Sequence, residues 1–512
     1  MRYASVPREP AGGLSLSSSP HPALAAAEGK PATPADAAQR APASREPAAP
    51  EPKAPAAASW LQRLFLAAVA LAVLDYGSAS TVQSSLVAIV FALLAALAAL
   101  RPLEPASIRG LAALAVLIAA ALVGYAARQA LPLASGDFAN GAWQAVSDHV
   151  GPIKGTISVA PGMTLDALPS LAAPFFAFVC ALGFFQGDEE ALRLWRALAY
   201  FGAGYAAFGV VQELFSPEQL LFETKTFYVG SLTASFVNRN TAGTFCGLAF
   251  LLNLGLAIHQ LRDIRLARLV KRTLDVQIVW PDKYALALTH ALACLTTAVA
   301  LFLTQSRGAV GATFIAAVIA AGLAAQAPGE QAPHPAGPWR RRAMALGALF
   351  VVAGLFALLS GRSVYRMEEA GTDDVRWCAF ASTIAAIGDN WLLGAGFGTF
   401  QDVFPAYRNA GCAGISGVWE HAHNVFLEGW LGLGAPFLVA LVAGYAALIA
   451  VFIRGARRRR RLRFAPIVGL AALVLVTLHS MVDFSLEIPG FAAYFAAATA
   501  AAASLSLGCS RG

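Results

Sequence analysis

Apolar runs of about twenty residues recur along almost the whole chain, and that recurrence limits the possible folds more than any motif does. A helix of that length crosses a hydrocarbon core about 30 Å thick. Inside such a core, only helices or closed barrels satisfy every backbone polar group. Runs of this kind fall at residues 60–77, 82–100, 108–127, 166–186, 197–215, 240–260, 284–304, 308–326, 343–361, 425–453, 465–481 and 488–507. The expected fold is an all-α polytopic integral membrane protein of about twelve transmembrane helices. Composition agrees: 57% of the 512 residues are hydrophobic and 13% charged, far from the balance of a soluble domain.

Charge patterning orients the spans. The net charge of +7 is not gathered on a soluble face, which argues against nucleic acid as a partner. Instead, Arg101 and Arg109, Arg193 and Arg196, "RDIRLARLVKR" at 262–272, "WRRR" at 339–342 and "RGARRRRRLR" at 454–463 fall between spans on one side. The positive-inside rule makes that side the cytoplasm, together with both termini. The arginine run at 457–461 reads as a topology anchor beside anionic lipid. Residues 1–58 are rich in Ala, Pro, Ser and Glu, too poor in large apolar side chains to offset the entropy of ordering, and are expected to form a disordered cytoplasmic tail. With no apolar core followed by a cleavage site, this tail does not read as a signal peptide. Residues 59–512 form the membrane domain.

The opposite side then holds two long loops, 128–165 and 362–424, and nearly all the polar residues of interest. "WEHAHNVFLEGWLGLG" at 419–434 sets His421, His423 and Asn424 at the start of an apolar run, and "LTQSRGAVGA" carries Arg307. Arg239 stands in "SFVNRNTAGTF", Arg376 in "DDVRWCAF", and His479 with Asp483 in "LHSMVDFSLEIP". Arginine at a membrane lip is costly unless it is paired, snorkels to the interface or meets an anionic ligand. Several of them beside a histidine suit a ligand that is anionic and partly lipidic. Guanidinium groups hold phosphate oxygens bidentately, and a neutral imidazole takes a proton from a hydroxyl.

Five segments, "SFVNRNTAGTF", "TQSRG", "RWCAFASTIAAIGDNWLLGAGFGTFQDVFPAY", "HAHNVFLEGWLGLG" and "HSMVDFSLEIP", resemble the O-antigen ligase and polymerase superfamily of bacterial membrane glycosyltransferases, in the family's order, across residues 230–490. The resemblance implies a GT-C-like helical fold with a large periplasmic loop, in the bacterial inner membrane. It also implies an undecaprenyl-diphosphate-linked glycan as donor, with a glycan or the lipid A core as acceptor. By the same resemblance His423 is the catalytic base or acceptor-orienting group, while Arg307, Arg376 and Arg239 bind the diphosphate. Asn424, His421, His479 and Asp483 are supporting residues. The family's His-Asn pattern is matched by His423, Asn424 and Gly434, while Phe437 departs from it. The "HSMVDF" segment tilts the expectation toward an exopolysaccharide polymerase over a ligase.

Each residue also has a plainer account. His423 could be a helix-start histidine satisfied by the backbone, and Arg307 could cap the preceding helix. His479 and Asp483 read first as a structural i,i+4 pair. The glycines of "LLGAGFGTF" resemble a phosphate loop, but without a preceding strand or a following Lys-Ser/Thr they do not indicate a nucleotide. Glu368, Glu369, Asp373 and Asp374 read as a solvated face, so no metal and no cofactor are expected. Cys378 and Cys412 are candidates for a disulfide in an oxidising compartment. A transporter of an anionic substrate is a remoter alternative, since transporters hold their polar site near the midplane, often between related halves.

Overall fold

The computed structural model describes residues 56–133, 138–261, 282–325, 375–408 and 417–508. The basic loops at 262–272 and 339–342, the span at 343–361, the acidic run at 368–374, Cys412 and nearly all of the N-terminal tail lie outside them. Cys378 is disulfide-bonded.

Helices occupy the other eleven expected runs. They are α1 (Ala56–Leu74), α2 (Thr81–Ala99), α3 (Ala106–Gln129), α4 (Gly141–Val150), α5 (Pro161–Phe184), α6 (Gly187–Phe215) and α7 (Arg239–Leu261). Then come α8 (Asp282–Leu303), α9 (Arg307–Ala325), α10 (Val375–Asn390), α11 (Phe400–Tyr407), α12 (Val425–Leu433), α13 (Ala435–Arg458), α14 (Phe464–Ser480) and α15 (Pro489–Leu507). Strands β1 (Gln219–Leu220) and β2 (Glu223–Thr224) pair as a small antiparallel hairpin. Eight helices among the described residues are long and apolar enough to cross a membrane, namely α2, α3, α5, α7, α8, α9, α13 and α15. Helices α1 and α14 contain shorter apolar stretches.

Burial separates the core helices from those at the rim. Buried positions make up 89% of the apolar window of α15 and 83% of that of α7, against 6% for α13, so α15 and α7 are enclosed by protein and α13 presents its apolar surface outward. The alanine-rich sequence of α15 permits this, because small side chains let neighbouring backbones approach. At one such crossing a Cβ on Gly202 would come within 2.5 Å of the Ala249 Cβ and 2.7 Å of the Tyr494 hydroxyl. Rings fill the space beside it: Phe245 lies 4.5 Å from both Tyr205 and Tyr494, centroid to centroid. Trp195 donates its indole N–H to the Leu252 carbonyl at 3.1 Å.

Two expectations are corrected here. The apolar run at 425–453 is two helices, broken at Gly434, whose φ of +65 and ψ of −151 belong to a region essentially closed to residues with a Cβ. The break is locked by the glycine-rich turn after α10. Ala435 N–H donates to Leu392 O at 3.0 Å, and Ala395 N–H to Leu431 O at 2.7 Å. Buried Gln129, at the end of α3, donates to Leu393 O and Gly432 O and accepts from Phe397 N–H. The glycines of "GAGFG" are thus a backbone-packing device. Gly434→Ala would put a Cβ 2.4 Å from Leu392 O and should lower stability by roughly 2 kcal/mol or more, read as a fall in unfolding temperature of the detergent-solubilised protein. Second, the basic run at 457–461 is not only an anchor toward lipid. Arg459 turns inward, is only 7% exposed, and pairs with Asp188 while donating to Gly508 O.

Candidate functional site

Four chain segments converge at one end of the bundle, and each is shaped by local capping. The start of α7 is fixed by Asn238, whose side-chain oxygen accepts the Asn240 N–H at 2.8 Å, satisfying a donor that the helix leaves open. The short turn between α8 and α9 supplies Ser306, which accepts weakly from Ala309 N–H and donates to the Asn240 side-chain oxygen at 2.8 Å. The end of α14 carries His479 and leads through Met481 and Val482 to Asp483. The fourth segment, 419–424, enters α12 through Asn424, which accepts from both Phe426 N–H and Leu427 N–H at 3.1 Å.

Asp483 is the hub. It is fully buried and accepts from the side-chain amides of Asn238 at 3.4 Å and Asn240 at 3.0 Å, and from the Ser485 hydroxyl. Its Oδ1 lies 4.0 Å from Nδ1 of His423, too long for a hydrogen bond. His423 Nδ1 is itself buried without a hydrogen-bond partner, so the account of His423 as a backbone-satisfied helix-start residue does not hold. Its backbone sits at φ +54, in the left-handed region that non-glycine residues rarely adopt. Trp419 and Phe484 meet its ring edge-on at centroid distances of 5.3 and 4.9 Å. Burial, reinforced by the charges of Arg376 and His421 and only partly opposed by Asp483, pushes the imidazole down to about 4. It is therefore neutral at neutral pH, with a basic nitrogen available.

The other expected residues fall around this pair. Asn424 donates to Met481 O at 2.9 Å, tying the histidine loop to the Asp483 segment. Arg376, on the first turn of α10, donates to Val482 O at 3.3 Å. Arg239 follows Asn238 directly and holds its guanidinium over the Tyr228 ring, 5.2 Å from the centroid, a cation–π contact. Arg307 opens α9 between Ser306 and Gly308, the latter packed on the His479 ring. Its side chain is exposed and, among the described residues, makes no bond to the last carbonyls of α8. The expected i,i+4 pairing of His479 with Asp483 is present, with Nδ1 3.9 Å from the carboxylate across the end of α14 at Ser480, while the closer partner of that nitrogen is the Thr244 hydroxyl at 2.7 Å.

Sequence reading missed Glu428 and Glu487. His421 Nδ1 lies 3.0 Å from Glu428 Oε1 and 2.6 Å from Glu487 Oε2, while Glu428 Oε2 accepts the Ala422 N–H at 2.6 Å. Burial opposes the charge on His421, but the two carboxylates outweigh it and hold the imidazole well above its ordinary value. Burial and then the charge of Glu428 push Glu487 up to about 8. These three side chains are the group among the described residues whose donor atoms, all within 4.8 Å of one another, could hold a metal ion. Glu428, in the first turn of α12, carries a signal that reads equally as a helix-dipole acid. Glu487 gives none until the chain folds back.

Chemically, the end of the bundle offers a half-buried neutral imidazole beside a buried carboxylate, rimmed by arginines and aromatic rings. Residues 292–442, from α8 into the first turns of α13, match the family model described as O-antigen ligase, which supports placing the chain in the O-antigen ligase and polymerase superfamily. No curated protein matches the chain.

Proposed function

We propose that this member of the O-antigen ligase and polymerase superfamily transfers a glycan from an undecaprenyl-diphosphate carrier to a sugar hydroxyl, on the periplasmic face of the bacterial inner membrane. The observation that carries the reading is the orphaned Nδ1 of His423, 4.0 Å from the buried Asp483 carboxylate. With its N–H on the Asp483 side, the ring presents Nε2 as a base. Nε2 takes the acceptor's hydroxyl proton while that oxygen attacks the anomeric carbon. The bond from that carbon to the diphosphate breaks, and undecaprenyl diphosphate leaves with the electron pair. Asp483 stabilises the imidazolium that forms, as the carboxylate of a catalytic triad does. Arg307, Arg376 and Arg239 hold the diphosphate and its growing charge. The sugar–diphosphate bond supplies the energy, so neither a nucleotide sugar nor a metal is required.

Polymerisation, with a second lipid-linked repeat as acceptor, is the favoured form on the "HSMVDF" segment; ligation to lipid A core is the alternative. The glycan size ladder of a strain lacking this gene separates them. Single repeats indicate a polymerase, and long chains retained on the carrier indicate a ligase. An unaltered ladder and an unaltered carrier pool would overturn both.

The exposed Arg307 makes a distinct prediction. A hydrogen bond to a charged group contributes roughly 1.5–3 kcal/mol, so Arg307→Ala should raise the KM for lipid-linked donor about ten- to a hundredfold with a smaller change in acceptor KM. Initial rates at varied donor concentration in proteoliposomes check it, and an unchanged donor KM removes Arg307 from the diphosphate site.

A further inference from the structure

We propose that Glu428 and Glu487, acting through His421 and the Ala422 amide, are positioning residues that hold His423 beside Asp483. The inference rests on the role given to His423 above and assigns what keeps that side chain in place.

The backbone at His423 needs such a device. A left-handed φ at a non-glycine residue persists only where the surroundings over-determine it. On its N-terminal side, Glu428 reaches back from α12 to take the Ala422 N–H with one oxygen and His421 Nδ1 with the other. On its C-terminal side, Asn424 caps α12 and donates to Met481 O. His423 is therefore suspended between two pinned residues.

The second carboxylate ties this loop to the chain that carries Asp483. Within residues 483–487, Asp483 faces His423, Phe484 packs against both histidines and Glu487 grips His421. Phe484 stacks on His421 with centroids 4.2 Å apart and an interplanar angle of 17°, and receives His423 edge-on. The distance between His423 and Asp483 is thus set by a closed circuit: His421 to Glu487, through the short turn Ser485–Glu487 to Asp483. A lone helix-dipole acid at Glu428 would stabilise α12 without reaching His421 or Ala422, and would leave Glu487 with nothing to do.

The charge balance suits a clamp. One Nδ1–H cannot serve both carboxylates fully, so a proton kept on Glu487, which burial and then the charge of Glu428 raise, completes the set. The trio then carries one imidazolium, one carboxylate and one carboxyl group, which adds no net charge beside His423. The charged groups acting on His423 are Asp483, Arg376, His421 and Glu428.

Purified variants in proteoliposomes, supplied with lipid-linked repeats extracted from a strain lacking this gene, test the clamp. Glu428→Ala should lower kcat about a hundredfold, the cost of a misplaced reacting group, with both KM values unchanged. Its acid limb should move from about 4 toward the ordinary imidazole value as water reaches the loosened ring. Glu428→Gln, which still accepts the Ala422 N–H, should recover most of the rate, and Glu487→Gln, an isostere of the protonated acid, should stay close to wild type while Glu487→Ala does not. Wild-type kcat and pH limb in Glu428→Ala overturn the proposal. So does a loss confined to the yield of folded protein, which would make the residues scaffold only. Stoichiometric divalent metal in the purified protein, lost in Glu428→Ala, overturns it as well by making the trio a metal site. Failure of the parent reading looks different: His423→Ala would then remain active.

Discussion

His423→Ala should reduce glycan transfer by about a hundred- to ten-thousandfold, the range that a positioned general base supplies, with the protein still folded and inserted. The substitution removes a ring that bears no internal hydrogen bond at Nδ1, so no partner in the fold is left unsatisfied. In cells carrying the variant in place of wild type, long surface chains should disappear. The same base sets the pH response. The neutral ring is the active form, and burial holds it neutral down to about 4. Turnover should therefore stay level through the neutral range and fall only as pH approaches that value. An ordinary histidine base would lose activity around pH 6.5. A wild-type chain ladder from His423→Ala would put the chemistry elsewhere.

Asp483 is expected to separate stability from chemistry. Asp483→Ala leaves the amides of Asn238 and Asn240 and the Ser485 hydroxyl without their shared acceptor in a fully buried place. Each stranded donor costs about 1–3 kcal/mol, so this variant should unfold at a clearly lower temperature. Asp483→Asn keeps shape and one acceptor oxygen and should fold better. Its defect should lie in kcat, because the imidazolium formed during transfer loses its counter-charge. The sign of the pH shift follows. Asp483 favours the charged imidazole, so removing its charge lowers the His423 value further and moves the acid limb to lower pH. Loss of the Glu428 charge acts in the same direction, but in Glu428→Ala relief of burial, the largest influence on His423, outweighs it and moves the limb the other way, so the two variants report different roles for two nearby carboxylates. Equal kcat and unchanged limb in Asp483→Asn would remove Asp483 from the reaction.

Much of the fold was legible because the constraint is simple. An apolar run long enough to cross a bilayer is helical wherever it lies in the protein, so α2, α3, α5, α7, α8, α9 and α15 follow from windows alone. The break at Gly434 escaped the same reasoning, since hydropathy averages over residues and carries no information on φ. Only the contacts of Gly434 with Leu392 and Gly394 explain it. The arginines, histidines and Asp483 were visible as polar residues in an apolar setting. Their relations were visible only in part. Helical spacing matched His479 with Asp483, and the two lie 3.9 Å apart, but the closer partner of His479 is Thr244, more than two hundred residues away in sequence. Glu487 shows the limit most clearly, because only the turn Ser485–Glu487 brings it against His421.

Everything proposed for His423 turns on one event, cleavage of a sugar–diphosphate bond with passage of the sugar to a hydroxyl. The most direct measurement is release of undecaprenyl diphosphate from lipid-linked glycan by the purified protein in proteoliposomes, with chelator present and no nucleotide added, for wild type and His423→Ala. Wild type should release it in step with growth or transfer of the glycan, and the variant almost none. Movement of intact lipid-linked glycan or another anion across the bilayer without bond cleavage would contradict it, as would equal release by both proteins.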